Sequence, residues 1–192
     1  MFVLGSHNAW SYNKVAKWWM KPIAFCARCQ NIDLLKQYNE GSRCFDMRIR
    51  WDSNNKLIVA HGIVEYQVTK ESLLNDLQML NDLGGVSIRV IHEVRNKKQY
   101  EASKKENFTS FCNYIVEAFK DIKFWCGSNL YNREIDYHFE YSPSCEEKYS
   151  SVCPPRIIDD WFPWLYARLN NHKNLEKGTD CDIFLIDFVN IK

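Results

Sequence analysis

Residues 43–51 alternate charged and apolar side chains, and this alternation constrains the fold more than any other feature of the sequence. In the two-residue period of a β-strand, the apolar residues share one face and the charged residues share the other. The apolar face consists of Phe45, Met47, Ile49 and Trp51, and the opposite face of Cys44, Asp46, Arg48 and Arg50. Burying unpaired charges costs several kcal/mol, so the charged face must be paired or functional.

Strand-like and helix-like segments alternate along the rest of the chain. The predicted strands are residues 1–7, 43–51, 57–62, 86–94, 122–126, 137–141 and 183–189. The predicted helices are residues 12–29, 31–39, 69–83, 108–119 and 159–169. The intervening segments 97–106, 142–155 and 178–180 are predicted to be an exposed charged stretch, a loop and a turn.

This alternation predicts an α/β fold with mostly parallel strands, about seven to eight in number. Two architectures fit, a compact barrel with a short or missing element and an open doubly wound sheet. No glycine-rich nucleotide-binding motif follows the first strand, which disfavours a nucleotide-binding protein.

The length of 192 residues is typical of one domain, so we expect a single domain over residues 1–192. The net charge of +1 favours neither nucleic acid nor an anionic membrane as a partner. No apolar run reaches the length of about 20 residues that a membrane helix needs, and no signal peptide is recognisable. The expectation is therefore a monomeric, cytoplasmic protein.

The eight cysteines raise the alternatives of disulfides and a metal site. Cys26 and Cys29 form one CxxC motif, which Cys145 and Cys153 would complete to a four-thiolate zinc set. Their spacing is loose, however, and no flanking pattern supports zinc. Reduced thiols, with Cys26 and Cys29 packed in a helix, are the simplest interpretation.

Four chemically active residues fall at or near the carboxyl ends of predicted strands: His7, Arg48, His61 and Asp187. In a parallel α/β barrel, that end carries the active site. Two imidazoles can act as general base and general acid, while a guanidinium binds a phosphate and a carboxylate orients a histidine. This set predicts acid–base phosphoryl transfer.

Short motifs around these residues resemble the catalytic X domain of phosphatidylinositol-specific phospholipase C. The motifs are Gly5-Ser6-His7-Asn8, Gly41-Ser42-Arg43-Cys44-Phe45-Asp46-Met47-Arg48 and Ala60-His61-Gly62. The closing Leu185-Ile186-Asp187-Phe188 resembles the last barrel strand of the single-domain bacterial enzymes. The resemblance implies an irregular TIM-type (β/α) barrel that cleaves phosphatidylinositol into diacylglycerol and a cyclic inositol phosphate.

The resemblance also implies the roles of the four residues. His7 would be the general base oriented by Asp187, His61 the general acid, and Arg48 the residue that holds the phosphate. Two further residues, Glu140 and Tyr141, lie near the end of a predicted strand. They are expected to contact inositol hydroxyls or to stack on the ring.

The chain departs from the family's pattern at several positions. Asn8 stands where the bacterial enzymes have an Asp that supports the acid, and where the calcium-dependent eukaryotic enzymes have an Asn ligand. Asp46 and Glu93 also fall on calcium-ligand positions of that branch, but Arg48 replaces a further acidic ligand. We therefore expect no cofactor and an Arg48–Asp46 pair in place of calcium, with Asn8, Asp46 and Glu93 among the residues that bind the substrate. If calcium were bound, its ligands would be Asn8, Asp46 and Glu93. The bacterial enzymes are also longer, so loops or a strand must be missing.

Several residues have two interpretations. Glu93 forms either a salt bridge with Arg48 or Arg50 or part of the substrate site. At least one of Trp18 and Trp19 is interpreted as a core residue. The alternative is that they anchor the protein in peripheral membrane contact. Three further histidines have simpler interpretations: His92 as a core or helix-facing residue, and His138 and His172 as surface residues.

Two other functions remain open beside the phospholipase. A glycerophosphodiester phosphodiesterase would need a metal-binding Glu-x-Asp pair, whereas this chain has Asp46-x-Arg48. A catalytically weak module that binds inositol lipids or phosphosugars is favoured by the short length and by Asn8. The two retained histidines disfavour such a module.

Overall fold

The computed structural model of the chain describes residues 2–132, 135–141, 149–151, 162–177 and 181–191. The strands of this part are β1 (Val3–Ser6), β2 (Cys44–Trp51), β3 (Leu57–His61), β4 (Val64–Glu65), β5 (Val86–His92), β6 (Ile122–Asn132), β7 (Ile135–Tyr141), β8 (Tyr149–Ser151) and β9 (Ile183–Ile186). The helices are α1 (Ala24–Ala27), α2 (Leu34–Asn39), α3 (Lys70–Leu83), α4 (Lys97–Ala102), α5 (Lys105–Ala118) and α6 (Pro163–Lys177), with 3-10 helices at Ala9–Tyr12 and Trp18–Ile23.

The strands form one mixed sheet in the order β7-β6-β5-β2-β1-β9-β8, and β3 joins both β2 and β4. The central pairs are parallel, whereas β3 and β7 run antiparallel to their neighbours. The predicted α/β class is confirmed. β7 and β8 lie at the two ends of this order, and within the described residues they do not pair with each other. A closed barrel therefore stays a prediction.

The apolar face of β2 builds the main core. Phe45, Met47 and Ile49 have no exposed surface, and they belong to the same buried cluster as residues of α3. That helix contributes Leu73, Leu77 and Leu80, whose spacing of four and three residues puts them on one helical face. Thr69 caps its first turn, and Gly84, with a φ of 69°, ends it.

The opposite face of β2 is buried as well, although it is charged. Asp46 has no exposed surface, and Arg48 and Arg50 are 8% and 4% exposed. Arg50 donates to Glu65 Oε1 at 2.9 Å and to the Gly62 carbonyl at 2.8 Å. Arg50 is therefore paired with a carboxylate of β4 and Arg48 with Asp46 on the same face, as buried charges require.

The segment from residue 12 to residue 29, predicted to be a helix interrupted at Pro22, contains much less helix than predicted. It contains a 3-10 helix at Trp18–Ile23, which includes Pro22, and one turn of α-helix at Ala24–Ala27. Proline lacks the backbone N–H that an interior helical residue donates, which favours this break. Trp18 and Trp19 are 79% and 51% exposed, so the core interpretation of these residues is wrong.

Smaller differences concern connecting segments. The charged stretch at 97–106 is largely exposed, as expected, but its backbone is helical because Asn96 accepts the Gln99 N–H and caps α4. Within the predicted loop 142–155, Tyr149–Ser151 is a strand. Residues 178–180 lie outside the described part of the chain, as do Cys145, Cys153 and Trp161. None of the described helices is long and apolar enough to cross a bilayer.

His92 is buried in the helix-facing layer, and we expect it to make the stability of the protein depend on pH. Its ring stacks on Phe108 at 4.7 Å and its Nε2 lies 2.7 Å from Ser103 Oγ. Burial lowers the pKa of His92 to about 3, whereas an unfolded chain takes up this proton near pH 6.5. Stability should therefore fall as the pH drops below 6.5, by about 2 kcal/mol from this residue between pH 7 and pH 5.

Urea unfolding at both pH values checks this, with the non-titrating His92→Phe variant as the comparison. Between pH 7 and pH 5, the free energy of unfolding of His92→Phe should fall by about 2 kcal/mol less than that of the wild type. An equal change in both proteins would contradict the assignment.

Candidate active site

His7 and Asp187 meet because their strands are parallel neighbours. Ser6, the last residue of β1, is in register with Ile186, the last residue of β9. The residues that follow them are therefore adjacent, and His7 Nδ1 lies 2.7 Å from Asp187 Oδ1. Gly5 allows the close approach of β1 to its neighbours, because a Cβ there would collide with the Leu185 side chain.

The other ring nitrogen of His7 contacts Arg48, at 2.8 Å between Nε2 and Nη2. A guanidinium only donates hydrogen bonds, so Nε2 must accept and the ring proton must be on Nδ1. Nδ1 then donates to the Asp187 carboxylate. His7 is thus a neutral imidazole whose accepting nitrogen faces a fixed cation.

Arg48 is held by two carboxylates on the charged face of the sheet. Its Nε donates to Asp46 Oδ2 at 2.8 Å, and its Nη1 donates to Glu93 Oε2 at 3.4 Å. Burial alone would raise the pKa of Asp46, but the charges of Arg48 and Arg89 hold it well below its usual range. The predicted Asp46–Arg48 pair is present.

Glu93 connects this pair to the His61 loop. Its Oε1 accepts the Gly62 N–H at 2.8 Å and Arg95 Nε at 3.0 Å. Of the two predicted salt-bridge partners, Glu93 contacts Arg48, whereas Arg50 pairs with Glu65. The residues do not fit calcium as the resemblance would place it, because the Arg48 guanidinium bonds to both Asp46 and Glu93.

His61 lies at the end of β3 and faces His7 edge-on, with ring centroids 5.5 Å apart. Its Nδ1 is 3.0 Å from the Ala27 carbonyl oxygen, to which it donates. Burial, followed by the charge of Arg48, lowers the pKa of His61. The two imidazoles therefore lie in edge-to-face contact, and Arg48 contacts the His7 ring.

The Ala27 carbonyl is a component of the site that the sequence does not reveal. It is available because α1 ends after one turn, which leaves its last carbonyls without helical partners. It accepts from Tyr66 Oη at 2.8 Å, His61 Nδ1 at 3.0 Å and Asn8 Nδ2 at 3.4 Å. The acid candidate is thus supported by a neutral oxygen, where the bacterial pattern would supply a carboxylate.

Not all predicted substrate residues are accessible. Asn8 and Asp46 have no exposed surface. Asp46 bonds to Arg48, and Asn8 Nδ2 donates to the Ala27 carbonyl that His61 also contacts, so their contact with a substrate stays a prediction. Glu140 and Tyr141 lie on β7, paired with Gly127 and Cys126, but their side chains are outside the described part of the chain.

Each of the three strand-end residues is followed by a left-handed backbone. The φ angles are 43° at Asn8 after His7, 61° at Gly62 after His61 and 49° at Phe188 after Asp187. Such a residue ends the strand abruptly, and for Phe188 it costs about 1–3 kcal/mol. Sharp turns therefore follow all three residues, and only the one at Phe188 carries this strain.

A cavity of about 550 Å³ leads to this edge. Its lining comprises Ile23, Cys26, Ala27, His61, Gly62, Ile63, Val64 and Arg95. Ile23 and Ile63 at its rim are 37% and 55% exposed, and Trp18 and Trp19 precede Ile23 on the same 3-10 helix. The approach to His61 is therefore bordered by exposed isoleucines and by the exposed side chain of Arg95.

Comparisons with known proteins identify a fold but no family. No family model matches the sequence, and no curated protein matches it. Among solved structures, the phosphatidylinositol-specific phospholipase C of Listeria monocytogenes is 12% identical with a TM-score of 0.53, covering 98% of this chain and 88% of its own. A pentafluoro-Phe form of the Staphylococcus aureus enzyme is 20% identical with a TM-score of 0.50, covering 74% of this chain. This chain spans about half the length of the S. aureus protein, 52%.

Proposed function

We propose that this chain is a metal-independent phosphodiesterase of the phospholipase C type, which converts phosphatidylinositol-type lipids into diacylglycerol and a cyclic inositol phosphate. The observation that carries the proposal is the arrangement around His7. One nitrogen contacts Asp187, the other contacts Arg48, and His61 faces the ring. The similarity to solved phospholipase C structures supports the fold that this reaction requires.

His7 would act as the general base. A bound phosphodiester would draw the Arg48 guanidinium toward its own oxygens, which frees the Nε2 lone pair of His7. Nε2 then takes the proton of the inositol 2-hydroxyl, and Asp187 stabilises the imidazolium that forms. The deprotonated oxygen attacks phosphorus and forms the ring of the cyclic product.

His61 would complete the reaction as the general acid. As the bond between phosphorus and the glycerol oxygen breaks, His61 donates a proton to that oxygen and diacylglycerol leaves. The phosphodiester's negative charge favours the protonated form of His61, opposing the effect of Arg48. Arg48 stabilises the charge that builds on the phosphate oxygens, which is the role that a metal ion would otherwise have.

A second candidate function, a binding module with little turnover, is favoured by one observation. The Nδ1 of His61 donates to the neutral Ala27 carbonyl, which supports a protonated imidazole less than a carboxylate does. This candidate predicts that the chain binds inositol phosphate or phosphatidylinositol without consuming it.

The test is an assay of which bond is cleaved. The purified chain is incubated with phosphatidylinositol in detergent mixed micelles, with phosphatidylcholine as the head-group control. The proposal predicts diacylglycerol from phosphatidylinositol only. Glycerophosphoinositol as a substrate would indicate the glycerophosphodiesterase alternative, and binding without any product would indicate the binding module.

The exposed tryptophans would provide peripheral membrane contact. Trp18 and Trp19 are 79% and 51% exposed, and Lys17 lies over the Trp19 ring at 5.9 Å. Burial of one large apolar side chain contributes about 1.5–3 kcal/mol, so Trp18→Ala combined with Trp19→Ala should weaken vesicle binding at least about tenfold. Sedimentation with phosphatidylinositol-containing vesicles measures this.

The matched control is Tyr114→Ala, an aromatic residue that is 49% exposed on α5. Its vesicle binding should equal that of the wild type. The double variant should also retain turnover of water-soluble, short-chain phosphatidylinositol. Unchanged vesicle binding of the double variant would contradict the membrane role.

A further inference from the structure

A buried cysteine joins the two histidines of the candidate active site. One ligand atom each from His7, Cys29 and His61 lies within 4.8 Å of the other two. Cys29 is 1% exposed, and its Sγ is 3.7 Å from His61 Nδ1. The first member of the CxxC motif, Cys26, is not part of this cluster. Cys29, the second cysteine of the motif, therefore lies beside His7 and His61 and is not part of a helix.

We infer that His7, Cys29 and His61 form a binding site for a borderline-soft divalent ion of the zinc class. Two imidazole nitrogens and one thiolate are a common ligand set for such an ion. Bond lengths of about 2.0–2.1 Å to nitrogen and 2.3 Å to sulfur, at a tetrahedral angle, separate N and S by about 3.6 Å. The 3.7 Å between Cys29 and His61 already matches that separation, and the fourth position stays open.

The ion would compete with contacts that the proposed reaction needs. His7 has Asp187 on one nitrogen and Arg48 on the other, so coordination displaces one of them. His61 Nδ1 would exchange the Ala27 carbonyl for the ion. Coordination at Nδ1 requires that nitrogen to lose its proton, and the Cys29 thiol also releases its proton to solvent. An ion at this site therefore blocks the base and the acid together.

The surrounding charges and the cavity allow such an ion to bind. The carboxylate of Asp187 is 2.7 Å from His7 Nδ1, and that of Asp46 is 3.8 Å from His7 Nε2. These negative charges offset the repulsion between the ion and Arg48. The cavity that ends at His61 and Ala27 provides the path of entry. The oxygen ligands of the calcium hypothesis, Asp46 and Glu93, are not used.

The test is a cobalt titration of the full chain, followed by zinc. Cobalt should produce a thiolate-to-metal charge-transfer absorption that saturates at one equivalent, and zinc should abolish it. In Cys29→Ser the absorption should disappear and zinc affinity should fall at least about 100-fold, because changes outside the ligand shell already cost about 10–100-fold. The matched control, Cys26→Ser, should behave as the wild type.

No absorption in the wild type, or its loss in Cys26→Ser but not in Cys29→Ser, would overturn the site. Circular dichroism of each variant verifies that it is folded. Inhibition of phosphatidylinositol cleavage by equimolar zinc is also expected, and this part alone rests on the proposed function. Full turnover of the zinc-saturated chain would overturn the assignment of His7 and His61 as ligands. If the chain has no turnover at all, the proposed function fails while the cobalt spectrum still tests the site.

Discussion

Replacing His7 by alanine is expected to lower kcat/KM for phosphatidylinositol cleavage by about 10²–10⁴-fold, the usual contribution of a positioned acid or base. The same loss is expected for His61→Ala. Removal of His7 leaves the inositol hydroxyl without a proton acceptor, and removal of His61 leaves the glycerol oxygen without a donor. Initial rates of diacylglycerol release at several substrate concentrations measure both effects.

The control for these variants is His172→Ala, since this histidine is exposed on α6. Its kcat/KM should equal that of the wild type. Thermal unfolding of the variants separates a loss of chemistry from a loss of structure. Turnover near the wild-type rate in both His7→Ala and His61→Ala would contradict the two-histidine mechanism.

Replacing Arg48 by methionine should affect both stability and turnover. The Asp46 carboxylate would stay buried without its closest cation, and breaking a buried pair in this way costs about 3–5 kcal/mol. Loss of the phosphate contact should lower kcat by about 10²–10³-fold, as removal of one donor to a developing anion does. Urea unfolding and diacylglycerol release measure the two effects separately.

A double variant separates pairing from catalysis. Arg48→Met with Asp46→Asn removes both charges, so it should recover much of the stability but none of the turnover. Arg43→Met is the control, because the Arg43 guanidinium donates to the Tyr38 and Ser42 carbonyls and does not contact the site. Its folded fraction should retain turnover. Full activity of folded Arg48→Met would contradict the phosphate role of Arg48.

The sequence alone predicts those contacts of the site that lie within one strand or between the ends of parallel strands. The alternation of β2 places Asp46 and Arg48 on the same face without any knowledge of the fold. His7 and Asp187 come together because parallel strands end at the same edge of a sheet. These features follow from backbone periodicity, which a sequence displays directly.

The rest depends on contacts that no local pattern encodes. The Ala27 carbonyl reaches His61 only because α1 ends after one turn, and Cys29 joins the histidines only because the chain then returns toward β9, where its carbonyl accepts the Phe188 N–H. Both lie within residues 12–29, a segment whose composition predicts a helix interrupted at Pro22 and continuing to Cys29. Glu93 was ambiguous because its partner is determined by the register of β2 with β5.

The most direct test of the account follows the phosphorus atom of the substrate. Phosphorus NMR would monitor phosphatidylinositol in mixed micelles with the wild-type chain, with and without an excess of a metal chelator. The account predicts a cyclic inositol phosphate as the first product, formed at least as fast in the presence of the chelator. Failure of the cyclic product to form, or its loss on chelation, would contradict a metal-independent reaction at His7, Arg48 and His61.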